Sequence, residues 1–177
     1  MVSATRRAAL VAAAFALVTT GLTATPSPAQ TASALADGKA DGTLTVNGKA
    51  TKVAFAYARS VADPFDSAAK DTLVIVSDVA IDAKALGDEF ARIQLGDKGK
   101  IHAFEITVDA TGKPISTVWR HNGFKGPAPS GLSTADVFTA ATLDDKTVDG
   151  AYKSAAPGEF FGSTYAFDVR FRAAIAH

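Results

Sequence analysis

Residues 42–57 show the clearest alternation of apolar and polar side chains in the chain, interrupted once by Asn47-Gly48. An Asn-Gly pair between two alternating segments predicts a two-residue type I′ hairpin turn. This turn places Val46 opposite Lys49. The apolar side chains that then share one face are Leu44, Val46, Val53, Phe55 and Tyr57. Because the turn and the alternation predict the same register, we expect a hairpin with one buried face.

The next segments predict a central strand followed by a short helix. Residues 72–77 form an almost continuous apolar run, which is typical of a strand covered on both faces. Asp82 can cap a helix over the residues that follow, although Gly87 lowers the helix propensity of this segment. The apolar face of the helix would consist of Leu86, Phe90 and Ile93.

Three further segments complete the predicted β-structure. Residues 101–121 read as a second hairpin in which Val108 lies opposite Ile115, and residues 137–143 and 146–152 read as a third. The last strand shows strict alternation, which is typical of a half-buried strand. Its apolar positions are Tyr165, Phe167, Val169 and Phe171.

These elements predict an all-β fold class. About eight antiparallel strands, mostly joined by hairpins, would form a sandwich or a flattened barrel, with one short helix between strands three and four. No internal repeat and no second domain are evident. We therefore expect residues 41–177 to form a single β domain.

The beginning of the chain has the three parts of a secretory signal peptide. Arg6 and Arg7 precede the apolar stretch 8–18, and small residues follow up to Ala29. We expect residues 1–29 to be a cleaved signal peptide. A second peptidase site is Ala32-Ser33-Ala34. The apolar stretch is shorter than the roughly 20 residues that a spanning helix needs, so no membrane span should remain after cleavage.

Cleavage would leave residues 30–40 as a flexible N-terminus of the mature protein, which we expect to be secreted or periplasmic. The arginine pair leaves two export routes open, general secretion and the twin-arginine route, and the alanines that follow favour the first. The chain contains no cysteine. The fold therefore cannot be stabilised by a disulfide in an oxidising compartment, and the chain has no cysteine for lipid attachment.

Charge excludes two classes of partner. Removing Arg6 and Arg7 from the 18 basic side chains leaves 16 against 18 acidic ones, and the two signs are interspersed. No basic stripe is present to neutralise phosphates, so nucleic acid is not an expected partner. No Lys- and Arg-rich amphipathic helix is present for a membrane surface.

Two histidines form the one constellation with evident chemistry. If Val108 pairs with Ile115, Phe104 faces Trp119 and His102 faces His121, with β-carbons about 4.5–5.5 Å apart. Two imidazoles at this spacing can bind zinc or copper, although no acidic residue nearby shares their face. The alternative is a pair of rim histidines that hydrogen-bond to backbone or water. We favour the rim pair and keep the metal site as a hypothesis.

The loop of residues 122–135 is the longest irregular segment and is rich in glycine and proline. Loops of this length in compact domains are usually functional or mobile. Phe124 and Leu132 are two apolar side chains that could contact a partner. Alternatively, they fold back and cover one end of the β domain.

Signatures of catalysis and of cofactor binding are missing from the sequence. There is no Gly-x-Ser-x-Gly elbow, no cysteine nucleophile and no phosphate-binding glycine loop. Asp144, Asp145 and Asp149 do not have the spacing of a calcium-binding EF-hand loop, so we expect a solvated turn there. No cofactor is implied, and the sequence favours a protein that is not an enzyme.

Several segments together resemble a loose group of exported bacterial proteins with no assigned activity. They are the leader, Gly42-Thr-Leu-Thr-Val-Asn-Gly-Lys49, Ala56-Tyr57-Ala58, Leu73-Val-Ile-Val-Ser-Asp78 and Tyr165-Ala-Phe-Asp-Val-Arg-Phe171. The resemblance implies an exported β domain and carries no residue role.

Three functions remain open. The leading hypothesis is a non-enzymatic β-sandwich module of the cell envelope or extracellular space that binds or scaffolds a protein or small molecule. The first alternative is a β-barrel carrier that encloses a small apolar ligand. The second is a metal-binding protein or metalloenzyme that uses His102 and His121.

Overall fold

The computed structural model describes residues 34–64, 66 and 68–177, and the predicted signal peptide lies outside them. The described chain is mostly antiparallel β-structure. Its strands are β1 (Lys39–Val46), β2 (Lys49–Lys52), β3 (Phe55–Ala62), β4 (Lys70–Ser77), β5 (Ala103–Val108), β6 (Pro114–Arg120), β7 (Val137–Leu143), β8 (Thr147–Lys153), β9 (Gly158–Phe160) and β10 (Ser163–Ala176). Two helices, α1 (Ala83–Gly87) and α2 (Glu89–Asp97), lie between β4 and β5.

These strands form one curled sheet in the order β6-β5-β4-β3-β1-β10-β8-β7, a half-barrel. The short strands β2 and β9 pair with β1 and β10. The pairings are antiparallel except for a short parallel one, in which Ile175 of β10 lies opposite Ala58 of β3. The predicted antiparallel β-structure is therefore confirmed, whereas a two-sheet sandwich is not.

The inner face of the curled sheet holds the main core. Its largest side chains are 0 to 4% exposed and come from five strands: Leu44, Phe104, Trp119, Tyr152, Phe167 and Phe171. The helices cover the outer face of β4 and β5, where Ile75 and Ala103 pack with Ala85 of α1. β4 thus contributes Val74 to the inner core and Ile75 to the outer one. This confirms the prediction of a strand covered on both faces.

The first hairpin has the predicted register near its turn and departs from it further along. Val46 pairs with Lys49, and Asn47 and Gly48 both have positive φ, 51° and 76°, as a type I′ turn requires. The predicted second strand, however, breaks at residues 53–54, where the amide of Ala54 donates to the carbonyl of Ser77.

This break changes which side chains face the core. After it, Ala56 and Ala58 pack in the inner core, while Tyr57 packs on the outer one. The prediction that Phe55 and Tyr57 share a face with Leu44 was therefore wrong. The break also adds a strand, so the helical segment follows strand four and not strand three.

The single predicted helix is two short helices. Asp82 caps α1 as predicted, accepting from the amide of Ala85 at 2.9 Å. A second cap interrupts the segment, because the side chain of Asp88 accepts from the amide of Ala91 at 3.1 Å and starts α2. The predicted apolar face is wrong at Phe90, whose side chain is 66% exposed.

The second hairpin has the predicted register over most of its length. Phe104 pairs with Trp119, and the rings lie 5.1 Å apart. Near the turn the register shifts after Thr107, so Val108 pairs with Pro114 and not with Ile115. At the other end of the chain, the alternation of the last strand is confirmed: Val169 and Phe171 are fully buried on the inner face.

The first strand begins within the segment 30–40 that the sequence analysis predicts to be flexible. β1 begins at Lys39, which pairs with Arg172, and Ala40 is buried in the core. Among the described residues no helix combines the length and the apolar character that crossing a membrane requires.

Candidate functional site

The two candidate histidines lie side by side at one end of the β5–β6 hairpin. His102 immediately precedes β5 and His121 immediately follows β6, and their ring centroids are 4.3 Å apart. Because the Phe104–Trp119 pairing continues outward along the two strands, it brings the imidazoles together as the sequence predicts.

Asp78 joins this pair, a contact that the sequence pattern of the hairpin did not predict. Its carboxylate contacts Nδ1 of His102 at 2.7 Å and accepts from the backbone amide of His102 at 2.8 Å. The amide of Asp78 in turn donates to the carbonyl of His102. Asp78 follows β4, the neighbour of β5, so a search for polar residues at the ends of adjacent strands would have found it. The contacts orient the His102 ring, and because a carboxylate accepts, Nδ1 is the nitrogen that donates to Asp78.

His121 is held as a neutral imidazole. Its Nδ1 accepts from the amide of Gly123 at 2.9 Å, so the ring proton lies on Nε2, which is buried with no hydrogen-bond partner. Burial, together with the nearby His102, lowers the pKa of His121 to about 4. Both ring nitrogens of His121 are therefore unavailable as ligands unless the Gly123 hydrogen bond breaks.

Metal binding by the histidine pair stays a prediction. In the described part of the chain no group of three or more His, Cys, Asp or Glu side chains is placed to hold a metal ion. The pair offers two imidazoles, and one carboxylate beside them already binds His102.

The two loop residues differ in their surroundings. Phe124 is half-buried and contacts Trp119, with ring centroids 5.5 Å apart, and Tyr165 at 6.2 Å. Leu132 is 43% exposed beside a hollow of about 120 Å³ that Phe160 and Tyr165 also line. Phe124 thus covers the end of the inner core, whereas Leu132 stays exposed and its contact with a partner remains a prediction.

A larger feature lies on the outer face of the sheet and has no counterpart in the sequence analysis. It is a groove of about 630 Å³ between α1 and the end of β10. Tyr57, Leu73 and Ile75 are the apolar side chains that β3 and β4 contribute to its lining. Ala83 and Leu86 of α1 line one side, and small side chains of β10 (Ala173, Ala174 and Ala176) line the other.

Side chains of β3 fix the position of the helix beside this groove. The hydroxyl of Tyr57 accepts from the amide of Ile81 at 2.9 Å, just before α1. Arg59 Nη1 donates to the carbonyls of Leu86 and Gly87, at 3.4 and 3.3 Å, at the C-terminal end of α1. The same two side chains line the groove, so its shape is coupled to the docking of α1.

Arg59 is a cation of the groove whose guanidinium is only partly used by the described residues. No ion pair within the described residues includes Arg59, and its Nε and Nη2 make no hydrogen bond to them. The nearby Asp37 is already paired, since its carboxylate accepts from Arg172 at 2.8 Å. The groove is therefore apolar with one available guanidinium.

Comparison with known proteins found no matching family model, no matching curated protein and no matching solved structure.

Proposed function

We propose that the protein is an exported, non-enzymatic binding module that holds a small amphipathic carboxylate in the groove between α1 and β10. The observation that carries this proposal is an apolar groove with one unpaired guanidinium, Arg59, in its lining. Export is part of the proposal because of the leader-like sequence of residues 1–29.

The size and lining of the groove support a small ligand. Its volume of about 630 Å³ falls within the roughly 300–1,000 Å³ that small-molecule pockets usually have. Apolar side chains from β3, β4, α1 and β10 surround it, with few polar groups. This composition suits an aliphatic or aromatic body whose burial supplies most of the binding free energy.

Arg59 supports an anionic head group. A guanidinium can bind a carboxylate with two parallel hydrogen bonds, and charge-assisted bonds of this kind are about twice as strong as neutral ones. The two carbonyls of α1 hold Nη1 of Arg59 in place. The remaining donors are therefore pre-positioned, and less side-chain entropy is lost when the ligand binds.

In this version of the carrier hypothesis the ligand lies in the groove on the outer face of the sheet and not inside an enclosed barrel. The inner face, which would have to hold a ligand in that version, is filled by aromatic side chains that are 0 to 4% exposed, including Phe104 and Tyr152. A carrier that uses the outer face needs no interior space. A flattened barrel stays compatible with the curled sheet, and binding does not depend on it.

Calorimetric titration with decanoate tests the proposal. Arg59→Gln removes the charge and keeps a polar amide side chain at this position. Ala174→Trp fills the groove from an exposed strand position. Ala135→Trp makes the same change at an exposed loop position outside the groove and serves as the control.

We expect the wild type and Ala135→Trp to bind decanoate equally. Arg59→Gln should weaken binding at least about tenfold, because a charge-assisted hydrogen bond contributes about 1.5–3 kcal/mol. Ala174→Trp should abolish binding. Failure of the wild type to bind decanoate, or unchanged binding by Ala174→Trp, contradicts the proposal, and tighter binding of decyltrimethylammonium contradicts the role of Arg59.

A further inference from the structure

A second cavity lies at one end of the half-barrel, and most of the charged side chains that line it are acidic. It has a volume of about 360 Å³ and is bordered by the turns that follow β5 and β7. Its ionisable lining residues are Lys70, Asp71, Asp109, Asp144, Asp145 and His177. Four carboxylates therefore face a single lysine.

Asp71 is the unusual member of this set. It lies on β4, is 3% exposed, and its Oδ2 is buried with no hydrogen-bond partner. Burying a polar group without a hydrogen bond is destabilising, and native proteins contain few such groups. A carboxylate in this position is explained if a donor from outside the described chain reaches it.

The other carboxylates add negative charge at the same place. Asp109 and Asp144 each use Oδ1 to accept from backbone amides of their own turns. The side chain of Asp145 is exposed, and its backbone carbonyl accepts from His177. Burial, with Asp63 and Asp109 nearby, raises the pKa of Asp71, which is the effect expected where carboxylates repel one another.

The spacing of the carboxylates favours an organic cation over a metal ion. Within the described ranges no three acidic or histidine side chains converge closely enough to hold a metal. The cavity also contains apolar surface from Ala110, Leu143 and Ile175. A ligand that fits must carry separated positive charges and methylene groups between them.

We propose that this cavity is a binding site for a linear aliphatic diamine. One ammonium group donates to Asp71, the second to the exposed carboxylates of the turns, and the chain of methylenes packs against Leu143 and Ile175. Each ammonium group has three donors and no acceptor, so it compensates the charge of the Asp71 carboxylate without adding an unpaired group. This site adjoins the carboxylate groove, with which it shares Ser60 and His177, and its charge has the opposite sign.

Calorimetric titration with 1,4-diaminobutane at low salt tests the site, with 1-aminobutane and calcium chloride as the comparison ligands. Asp71→Asn removes the buried charge with little change of volume, and Asp145→Asn removes a charge from an exposed side chain in the turn that follows β7. Asp97→Asn, an exposed position at the end of α2, removes the same charge outside the cavity and is the matched control.

We expect the wild type and Asp97→Asn to bind the diamine equally, and both cavity variants to bind it at least about tenfold more weakly, because each loses a charge-assisted contact. The monoamine should bind more weakly than the diamine. The proposal is overturned if the wild type gives no binding heat, if Asp97→Asn weakens binding as much as the cavity variants do, or if the monoamine binds as well. It is also overturned if calcium binds and the diamine does not. Decanoate binding by Asp71→Asn should equal that of the wild type, which separates failure here from failure of the groove.

Discussion

Arg92 of α2 donates from Nε to Oε1 of Glu105 on β5 at 2.8 Å, and both side chains are almost fully buried. Arg120 of β6 donates to the same carboxylate, also at 2.8 Å, and reaches Glu89 at the start of α2. Arg92 Nη1 additionally donates to carbonyls at the end of α1. One buried carboxylate thus joins both helices to the sheet, and its arginines leave few donors unpaired.

Glu105→Gln should lower the free energy of unfolding by about 3–5 kcal/mol, because it leaves Arg92 buried without a counter-charge and Arg120 with the exposed Glu89 alone. Urea denaturation measures the change. The control is Asp168→Asn, which breaks an exposed pair with Lys153 and should cost less than about 1 kcal/mol. Equal effects of the two substitutions would show that the buried network stabilises the protein no more than an exposed ion pair does.

The same carboxylate predicts how stability depends on acid pH. Burial alone would raise the pKa of Glu105, but hydrogen bonds from Arg92 and Arg120 lower it below its usual value. A carboxylate with a lowered folded-state pKa stabilises the protein above the unfolded-state pKa and loses this effect as the pH falls through the folded one. Stability of the wild type should therefore drop below pH about 4.3, and Glu105→Gln should show a shallower drop. If the stability of the wild type and that of Glu105→Gln fall in parallel with decreasing pH, Glu105 is not the carboxylate responsible for the drop.

Asp71 predicts the opposite dependence. Because burial raises its pKa, the folded state binds a proton more tightly than the unfolded state, and the stabilising effect of this protonation is lost as the pH rises through the folded-state pKa. Asp71→Asn should therefore be more stable than the wild type at neutral pH in the absence of diamine. The difference in stability between the variant and the wild type should decrease towards zero near pH 3. Thermal melting across this range measures it, and a less stable variant at pH 7 would contradict the unpartnered carboxylate.

The histidine pair gives two linked expectations. His121, with its pKa lowered to about 4, should stay neutral at pH 5–7 with its proton on Nε2, which ¹⁵N chemical shifts of the ring report directly. Because this tautomer leaves no free lone pair on His121, one equivalent of zinc should leave the melting temperature unchanged. A metal that binds the folded state adds about 2.7 kcal/mol at a hundredfold excess over its Kd. A rise of the melting temperature that corresponds to this stabilisation, and that His121→Gln abolishes, would establish the metal site instead.

The two loop residues should respond differently to substitution by serine. Phe124→Ser removes ring contacts with Trp119 and Tyr165 and should destabilise the protein by about 1–3 kcal/mol. Leu132→Ser removes an exposed side chain and should change the melting temperature little. Urea denaturation of both variants tests this. Loss of a bound partner in Leu132→Ser without loss of stability would identify the loop as a contact surface.

The sequence by itself determined features that depend on neighbouring residues. Asn47-Gly48 fixed the first turn and its register, because both residues readily adopt positive φ. Strict alternation identified the face of β10 that Val169 and Phe171 bury. The pairing of Phe104 with Trp119 followed from apolar matching across a hairpin, and it brought His102 and His121 together.

Tertiary structure decided what depends on distant segments. The break at residues 53–54 arises where the strand leaves β1 to pair with β4, and no local pattern marks that exchange of partners. The groove exists because α1 and the end of β10, about ninety residues apart in the chain, lie on either side of it. The sequence likewise cannot show that Glu105 is paired under the helices or that Asp71 is buried without a partner. The reason is physical: alternation reports which face of a strand is apolar, whereas burial and charge pairing depend on which other elements cover that face.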